Sequence, residues 1–517
     1  MDSLSLLMEG FAGALTPVNL MWVLLGCLLG TAVGVMPGLG SSMAVALLLP
    51  MTFALDPTAA FIFFAGVYFG GLFGDSTMAI LMNTPGQASA IASTFEGHKM
   101  ALAGRAPQAL ATAAIGAFIG GFVASVVVVF FAPLLAELST YFGPAEYFAL
   151  ALFAFVATSS VVSDSVPKGL SALVIGLGIS TVGIDSVTGT ERFTLGVPQL
   201  FDGISIVTVT VAILALGEVF FIASRARREN QDLKTRSAGR PWLKLAEFRE
   251  ALPAWLRGTA IGMPFGMIPV GGSEVPTFLA YSVERRLDTR RKSPQFGKGA
   301  IRGLAAPEAA GNSTTGMAMG ALLALGLPVS ATAAILLAAF RQYGLQPGPL
   351  LFDRNPDLVW ALLASFFIAM VVLLIINLPF AQLWAKLLLI PQPYLYAGIA
   401  LFCGLGVYAT SGRVFDLLLL LGISVVGFLM RRYGYPLAPL IIGMVLGPLA
   451  ETSVRDALLS SSGDFTVLVS SPITWTIYGV LALVLLVAIR SVVISRTRRR
   501  QRKVAGAEAS TDADVNA

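Results

Sequence analysis

Charge is scarce in this sequence. Of 517 residues only 12% are Asp, Glu, Lys or Arg, while 56% are hydrophobic. Soluble domains carry roughly 25% charged residues. With a mean hydropathy of +0.80, the composition excludes a soluble globular class. Histidine occurs once, as His98, and cysteine twice, as Cys27 and Cys403. A single His excludes a His-pair metal site and, in the polar stretch EGHKMALAGR, reads as a loop residue rather than part of a Ser-His-Asp set. The two Cys lie in apolar runs without CxxC spacing, so they read as packed thiols and no metal site is expected. No Lys or Arg precedes Lys99. A signal peptide needs a basic leader, so the first apolar run is expected to remain as a membrane helix. No P-loop is present, which argues against an ATPase. No train of short alternating segments suggests a membrane β-barrel. The net charge of +5 lies largely in loops and the tail, and does not point to nucleic acid.

What the chain has is apolar length. Runs of about 20 residues, enough to cross a bilayer, recur throughout, which predicts an all-α integral membrane protein with about 11–12 membrane segments, some broken or re-entrant. Spans read near 18–36, 41–55, 59–83, 86–96, 108–134, 146–163, 167–184 and 203–224. After a basic linker they continue near 254–270, 274–283, 300–320, 324–343, 357–380, 393–411, 414–430, 436–450 and 472–494. The chain divides into a first membrane half (1–224), a linker (225–252), a second membrane half (253–495) and a tail (496–517) that is basic and then disordered. Lys/Arg-rich loops stay in the cytoplasm. This places the linker, RRLDTRRK (285–292), RRY (431–433), the tail RTRRRQRK (496–503) and the His98 loop on that side. The tail anchors topology and meets anionic membrane lipids. The loops after 134, at 185–202 and at 344–356 fall outside.

Two glycine- and proline-rich interruptions break this apolar pattern. GVMPGLGSS (34–42) and GMIPVGGSE (266–274) both keep Gly-x-x-Pro, with Gly three residues after the Pro. Each is followed by a second Pro motif, LMNTPGQASA (81–90) and ALGLPVSATA (324–333). By the side assignment the two units run in opposite orientation, an inverted repeat of the kind found in secondary transporters. Within lipid, a broken helix must be buried in protein or line a wet cavity. Its half-helix N-terminus offers free N–H groups to an anion. The alternative is a pair of packing kinks, since Gly and Pro are common in membrane helices. The breaks nominate Pro37, Gly38, Gly40, Ser41, Ser42, Asn83, Thr84, Pro85, Gly86, Gly271, Gly272, Ser273, Pro328 and Ser330 as substrate-binding. GLAAPEAAGNSTTG (303–316) adds Pro307, Asn312 and Ser313.

Ionisable residues inside a membrane are functional candidates. Glu308 and Asp75, its apparent counterpart in the first half, are nominated for ion coupling; Glu274 and Glu218 are weaker candidates. No Arg or Lys falls clearly inside a span. An anion is then expected to be held by dipoles and hydroxyls, neutralised by a co-transported Na⁺ or H⁺, with no other cofactor. An integral-membrane enzyme would need a converging cluster of catalytic groups, and none is visible.

At these residues the chain resembles the large membrane subunit of the tripartite tricarboxylate transporters. The resemblance rests on GVMPGLG, YFGGLFGDSTMAILMNTPGQASA, EGHKMALAGRAPQAL and the stretch from RGLAAPEAAGNSTTG through GLPVSATAAILLAAFRQYGLQPGPLLF. It implies a bacterial inner-membrane permease that works with a small membrane subunit and a periplasmic solute-binding protein. That protein delivers an organic acid, and an ion gradient drives uptake; a stand-alone carrier or exporter is the alternative. Four departures, Pro269-Val270, Arg302-Gly303, Gly311-Asn312 and GLPVS in place of GIPGS, fall near the proposed site. They leave the identity of the carboxylate open.

Overall fold

The computed structural model describes residues 3–36, 39–83, 86–139, 141–161, 166–185, 188–225, 242–268, 272–290, 293–387, 392–483 and 485–486. The first unit comprises α1 (Ser3–Ala14), α2 (Pro17–Gly34), α3 (Ser41–Thr52), α4 (Pro57–Met82), α5 (Ile91–Met100) and α6 (Ala106–Ser139). Helices α7 (Pro144–Val161) and α8 (Val166–Ser180) follow. Then come a two-residue hairpin, β1 (Gly183–Ile184) with β2 (Glu191–Arg192), and α9 (Ile206–Thr210), which runs through a π-helical turn into α10 (Gly217–Arg225). The second unit comprises α11 (Leu245–Gly266), α12 (Glu274–Asp288), α13 (Ile301–Leu325) and α14 (Ala331–Gln342). It continues with α15 (Pro349–Arg354), α16 (Pro356–Asn377), α17 (Ala381–Leu387), α18 (Gln392–Ser411), α19 (Val414–Arg432) and α20 (Ala438–Ser460). Among the described residues, seven helices are long and apolar enough to cross a membrane, and five shorter apolar helices accompany them. This is an all-α polytopic membrane protein.

Local chemistry sets the helix ends. Thr16 caps α2 by accepting from the Asn19 amide, and Asp56 caps α4 by accepting from Thr58; each is followed by Pro in the first turn. Pro suits that position because its missing N–H has no intrahelical partner there. Helices α4 and α13 end in left-handed residues, Asn83 (φ 55°) and Gly326 (φ 68°).

Packing within the two units follows one pattern. A Cβ at Gly26, Gly30 or Gly34 of α2 would meet the carbonyl oxygens of Phe63, Val67 and Gly71 of α4 at 2.2–2.5 Å. A Cβ at Gly258, Gly262 or Gly266 of α11 would meet those of Ala306, Ala310 and Thr314 of α13 at 2.2–2.3 Å. Both are small-residue ladders at four-residue spacing, which let two helix backbones touch where no hydrophobic force drives them together. Gly120 of α6 lies equally close to the Ala309 carbonyl, seating α13 between α11 and α6. Helices α4 and α13 are buried almost end to end, from Ala59 to Leu81 and from Ile301 to Ala324. The outward faces of other helices are aliphatic: Val174, Leu401, Leu405 and Leu418 are exposed, as lipid contact requires.

Several sequence expectations are corrected. A helix, α1, precedes the first expected span and packs on α16, with Gly10 against the Trp360 carbonyl. The His98 segment is helical, not a loop: α5 passes through a π turn and a kink at Gly104 (φ 79°) into α6. Its polar side chains satisfy themselves against neighbouring elements. His98 Nδ1 lies 2.9 Å from the Ile80 carbonyl, and Arg105 pairs with Glu247 at 3.0 Å. The buried Glu96 accepts from the amides of Gly297, Gly299 and Ala300. Helix α11 begins at Leu245, inside the stretch read as linker. The span expected at 324–343 is interrupted after Leu325 and resumes at Ala331.

Candidate functional site

Four chain breaks converge in the interior. The first leads into α3 at Ser41 and the second lies at Gly86–Ser89. The third enters α12 at Gly272–Glu274 and the fourth enters α14 at Ser330. Together with the middles of α4 and α13 they enclose a cavity of about 80 Å³ whose lining includes Ser41, Ser42, Tyr68, Gln87, Ser273 and Thr332. Polar groups pair across it. Ser42 Oγ lies 2.9 Å from Thr332 Oγ1, joining the two units, and Tyr68 Oη lies 3.3 Å from Ser330 Oγ. Ser41 donates to Gln87 Oε1 at 3.0 Å, while Gln87 Nε2 is buried with no protein partner.

A smaller cavity of about 20 Å³ adjoins it, sharing Leu72 and Ser89 as walls. Asp75 and Glu308 line it with Ser76, Thr277 and Asn312. Asp75 is 1% exposed and accepts from the amides of Gly86 (2.5 Å) and Gln87 (3.1 Å). These two N–H groups are ones the break frees, so the carboxylate holds the break's shape. Glu308 accepts from the Ser76 hydroxyl at 2.6 Å, which ties α13 to α4. Asn312 donates to the Glu308 carbonyl and leaves its Oδ1 buried and unpartnered. An orphaned buried acceptor beside two acids costs free energy unless a proton donor or cation completes it.

The structure brings together Ser41, Ser42, Gly272, Ser273 and Ser330 in the larger cavity and Asp75, Pro307, Glu308 and Asn312 in the smaller. Gly86 contributes its amide to Asp75, and Gly40 packs on the Gln87 side chain. Other nominated residues lie elsewhere. Ser313 donates to the Thr259 carbonyl of α11 and to the Ala310 carbonyl of its own helix. Asn83 is exposed at the end of α4, and neither it nor Pro328 lines either cavity. Pro37, Gly38, Thr84, Pro85 and Gly271, and the Pro269-Val270 departure, lie outside the described residues. Of the two weaker acids, Glu274 lines the larger cavity, and Glu218 instead pairs with Arg431.

Two further readings change. Aligning the glycine ladders pairs Asp75 with Ala318 and Glu308 with Ala65, so the two acids are neighbours in space but do not occupy equivalent positions along the ladders. Basic residues do lie within the helical body. Arg302 of α13 is buried and pairs with the buried Glu284, which also pairs with Arg257 at 2.6 Å. That pairing accounts for a cation at position 302. Arg257 lies midway along α11, and Arg341 near the end of α14. Tyr68, Gln87 and Thr332 line the larger cavity beyond the nominated residues; Tyr68 lies midway along α4, away from any break, where residue order alone does not set it apart. Gln87, two residues past Pro85, was the most visible of the three.

Membrane helices that stop and restart around an interior polar cavity, with carboxylates on the most buried helices, define a membrane transporter architecture. The chain belongs to the tripartite tricarboxylate transporter TctA family, whose pattern matches residues 20–442. It is 40% identical over 500 residues to an uncharacterized 52.8 kDa protein of the TAR-I ttuC′ 3′ region of Agrobacterium vitis. That alignment covers 95% of this chain and 98% of the relative. It is 38% identical over 235 residues to a protein of the TAR-II ttuC′ 3′ region of the same organism, covering 44% of this chain and 96% of that relative. No solved structure matches the chain. Among the described residues, no group of three or more His, Cys, Asp or Glu is placed to hold a metal ion.

Proposed function

We propose that this chain is the large membrane subunit of a tripartite secondary transporter of the bacterial inner membrane, with its C-terminus in the cytoplasm. It takes up a small di- or tricarboxylic acid on an Na⁺ or H⁺ gradient. A periplasmic binding protein delivers the acid, and a small membrane subunit completes the complex. The observation that carries this reading is the pair of adjoining cavities: one lined by hydroxyls and amides from all four breaks together with the Glu274 carboxyl, the other by the buried acids Asp75 and Glu308.

The two cavities divide the work. Hydroxyls of Ser41, Ser42, Ser273, Ser330 and Thr332 and the Gln87 amide suit the oxygens of a carboxylate. Asp75, Glu308 and the Asn312 carbonyl oxygen suit a cation or proton. An anion beside two carboxylates needs positive charge to bind, so site charge itself couples substrate to ion. The matched glycine ladders support two related units, and the charge pattern supports their opposite orientation.

The experiment is uptake of labelled di- and tricarboxylates by cells expressing this chain, with and without the two partners, under imposed Na⁺ or pH gradients. Uptake that requires all three parts and one gradient is the expected result. Uptake by the chain alone would replace this reading with a stand-alone carrier, and no uptake with all parts present would reject a carboxylate substrate. Cysteines placed at the exposed Ala103 and Gln346 are expected to label from opposite faces; labelling from one face would reject the inverted repeat.

A further inference from the structure

A third cavity, of about 350 Å³, lies at the other end of α14, between that helix, the start of α7 and the last turns of α20. Its size falls within the range of small-molecule sites. Gly326 lines it, whereas Ser330, four residues on, lines the inner cavity. The fourth break is therefore the wall between the two chambers. Helix α14 carries Ser330 and Thr332 at one end and Arg341 at the other, about 16 Å apart at 1.5 Å per residue.

Arg341 is the cation of this outer chamber. It is half-buried, and Nη1 donates to the Val445 carbonyl at 2.8 Å. No carboxylate among the described residues lies within ion-pairing distance of it. Two other arginines on this side behave differently: Arg192 pairs with Glu451 at 2.6 Å and Arg455 with Asp185 at 2.9 Å. Asp456 also lines the chamber but is exposed at its rim, where solvent screens it. Tyr147, Thr452 and Ser453 supply further polar groups. A guanidinium half withdrawn from water and without an acid partner readily binds a carboxylate through two parallel N–H donors.

We propose that this chamber is an outer binding site in which Arg341 holds a carboxylate group of the transported acid before it passes the fourth break to the inner cavity. The proposal rests on the carboxylate reading above and deepens it.

The test uses Thr452→Cys, which places a thiol on the exposed edge of the chamber; the native Cys27 and Cys403 are both fully buried. Spheroplasts, which lack the periplasmic binding protein, are labelled with a membrane-impermeant maleimide in the presence of succinate or citrate. One of these acids is expected to slow labelling about tenfold. Arg341→Gln should abolish that protection, and Arg341→Lys, which keeps charge and one donor, should restore part of it. In uptake with the partners present, Arg341→Gln should raise KM about tenfold and leave kcat within twofold. Protection that survives Arg341→Gln overturns the proposal. So does uptake by the parent protein with no protection by the acid it transports, and in that case the transport reading stands. Arg341-dependent protection without uptake upholds the outer site and removes the transport reading instead.

Discussion

The two units share a scaffold and differ in chemistry. Helix α2 meets α4, and α11 meets α13, through the same three glycines at the same spacing, each placed against a carbonyl oxygen. Yet where the first unit carries Asp75 the second has Ala318, and where the second carries Glu308 the first has Ala65. The scaffold is constrained by backbone contact, which admits only glycine. The carboxylates are not bound by that constraint, so each unit supplies one, and the pair meets only because α4 and α13 are brought together. The two units thus share a packing pattern while the site between them is asymmetric.

The comparison breaks most easily at the ladders. Gly262→Val forces a side chain into the Ala310 carbonyl and the Ser313 hydroxyl, each 2.2 Å from the new Cβ. It is expected to cost about 3 kcal/mol or more and to remove most folded protein, read as membrane yield and thermal midpoint in detergent. Gly178→Ala in α8, where a Cβ meets nothing within 4 Å, should be neutral or stabilising by up to ~1 kcal/mol. Equal damage from both would mean that the ladders are not the constraint.

The acids come next, and they should separate. Asp75→Asn turns an amide toward two N–H donors, so it should lower both the thermal midpoint and uptake, the latter roughly a hundredfold, or about 2.7 kcal/mol. Glu308→Gln still offers Ser76 a carbonyl oxygen. It should keep the midpoint while losing uptake to a similar degree, and the remainder should ignore the imposed ion gradient. Gradient-dependent uptake in Glu308→Gln would remove Glu308 from coupling.

The contact between units is worth less. Ser42→Ala and Thr332→Val should each raise the uptake KM by roughly three- to tenfold. A double-mutant cycle should show coupling of about 1 kcal/mol, the scale of one hydrogen bond. Additive effects would mean that these hydroxyls act separately.

The smallest effect is expected at Asn83, which lies at the break but outside both cavities. Asn83→Gly suits its left-handed backbone and should leave uptake within twofold, while Asn83→Ala should cost about 1 kcal/mol of stability. A large loss of uptake in Asn83→Gly would return this residue to the site.

Much of the class was legible in residue order. A chain this apolar and this poor in charge has no soluble fold open to it, and helix breaks in apolar runs mark an interior cavity because lipid leaves a broken backbone nowhere else to go. The two glycine ladders are equally written in the sequence, at Gly26, Gly30 and Gly34 and at Gly258, Gly262 and Gly266, although the Pro motifs beside them are louder. The His98 stretch misled because its polar residues looked solvated; Glu96 instead serves three amides from another unit, a pairing across some two hundred positions that no local pattern announces.

Composition and spacing by themselves determined that this protein lives in a membrane, breaks its helices in pairs and keeps acids inside. Those properties follow from the cost of polar groups in hydrocarbon, which acts on each segment alone. Tertiary structure alone decided which hydroxyls face the cavity and that Asp75 and Glu308 are neighbours. It also decided that Arg302 is neutralised by Glu284 while Arg341 stands at the edge of an open chamber. Those outcomes depend on which helix packs beside which, and the meaning of a side chain in lipid is set by the partner it finds there.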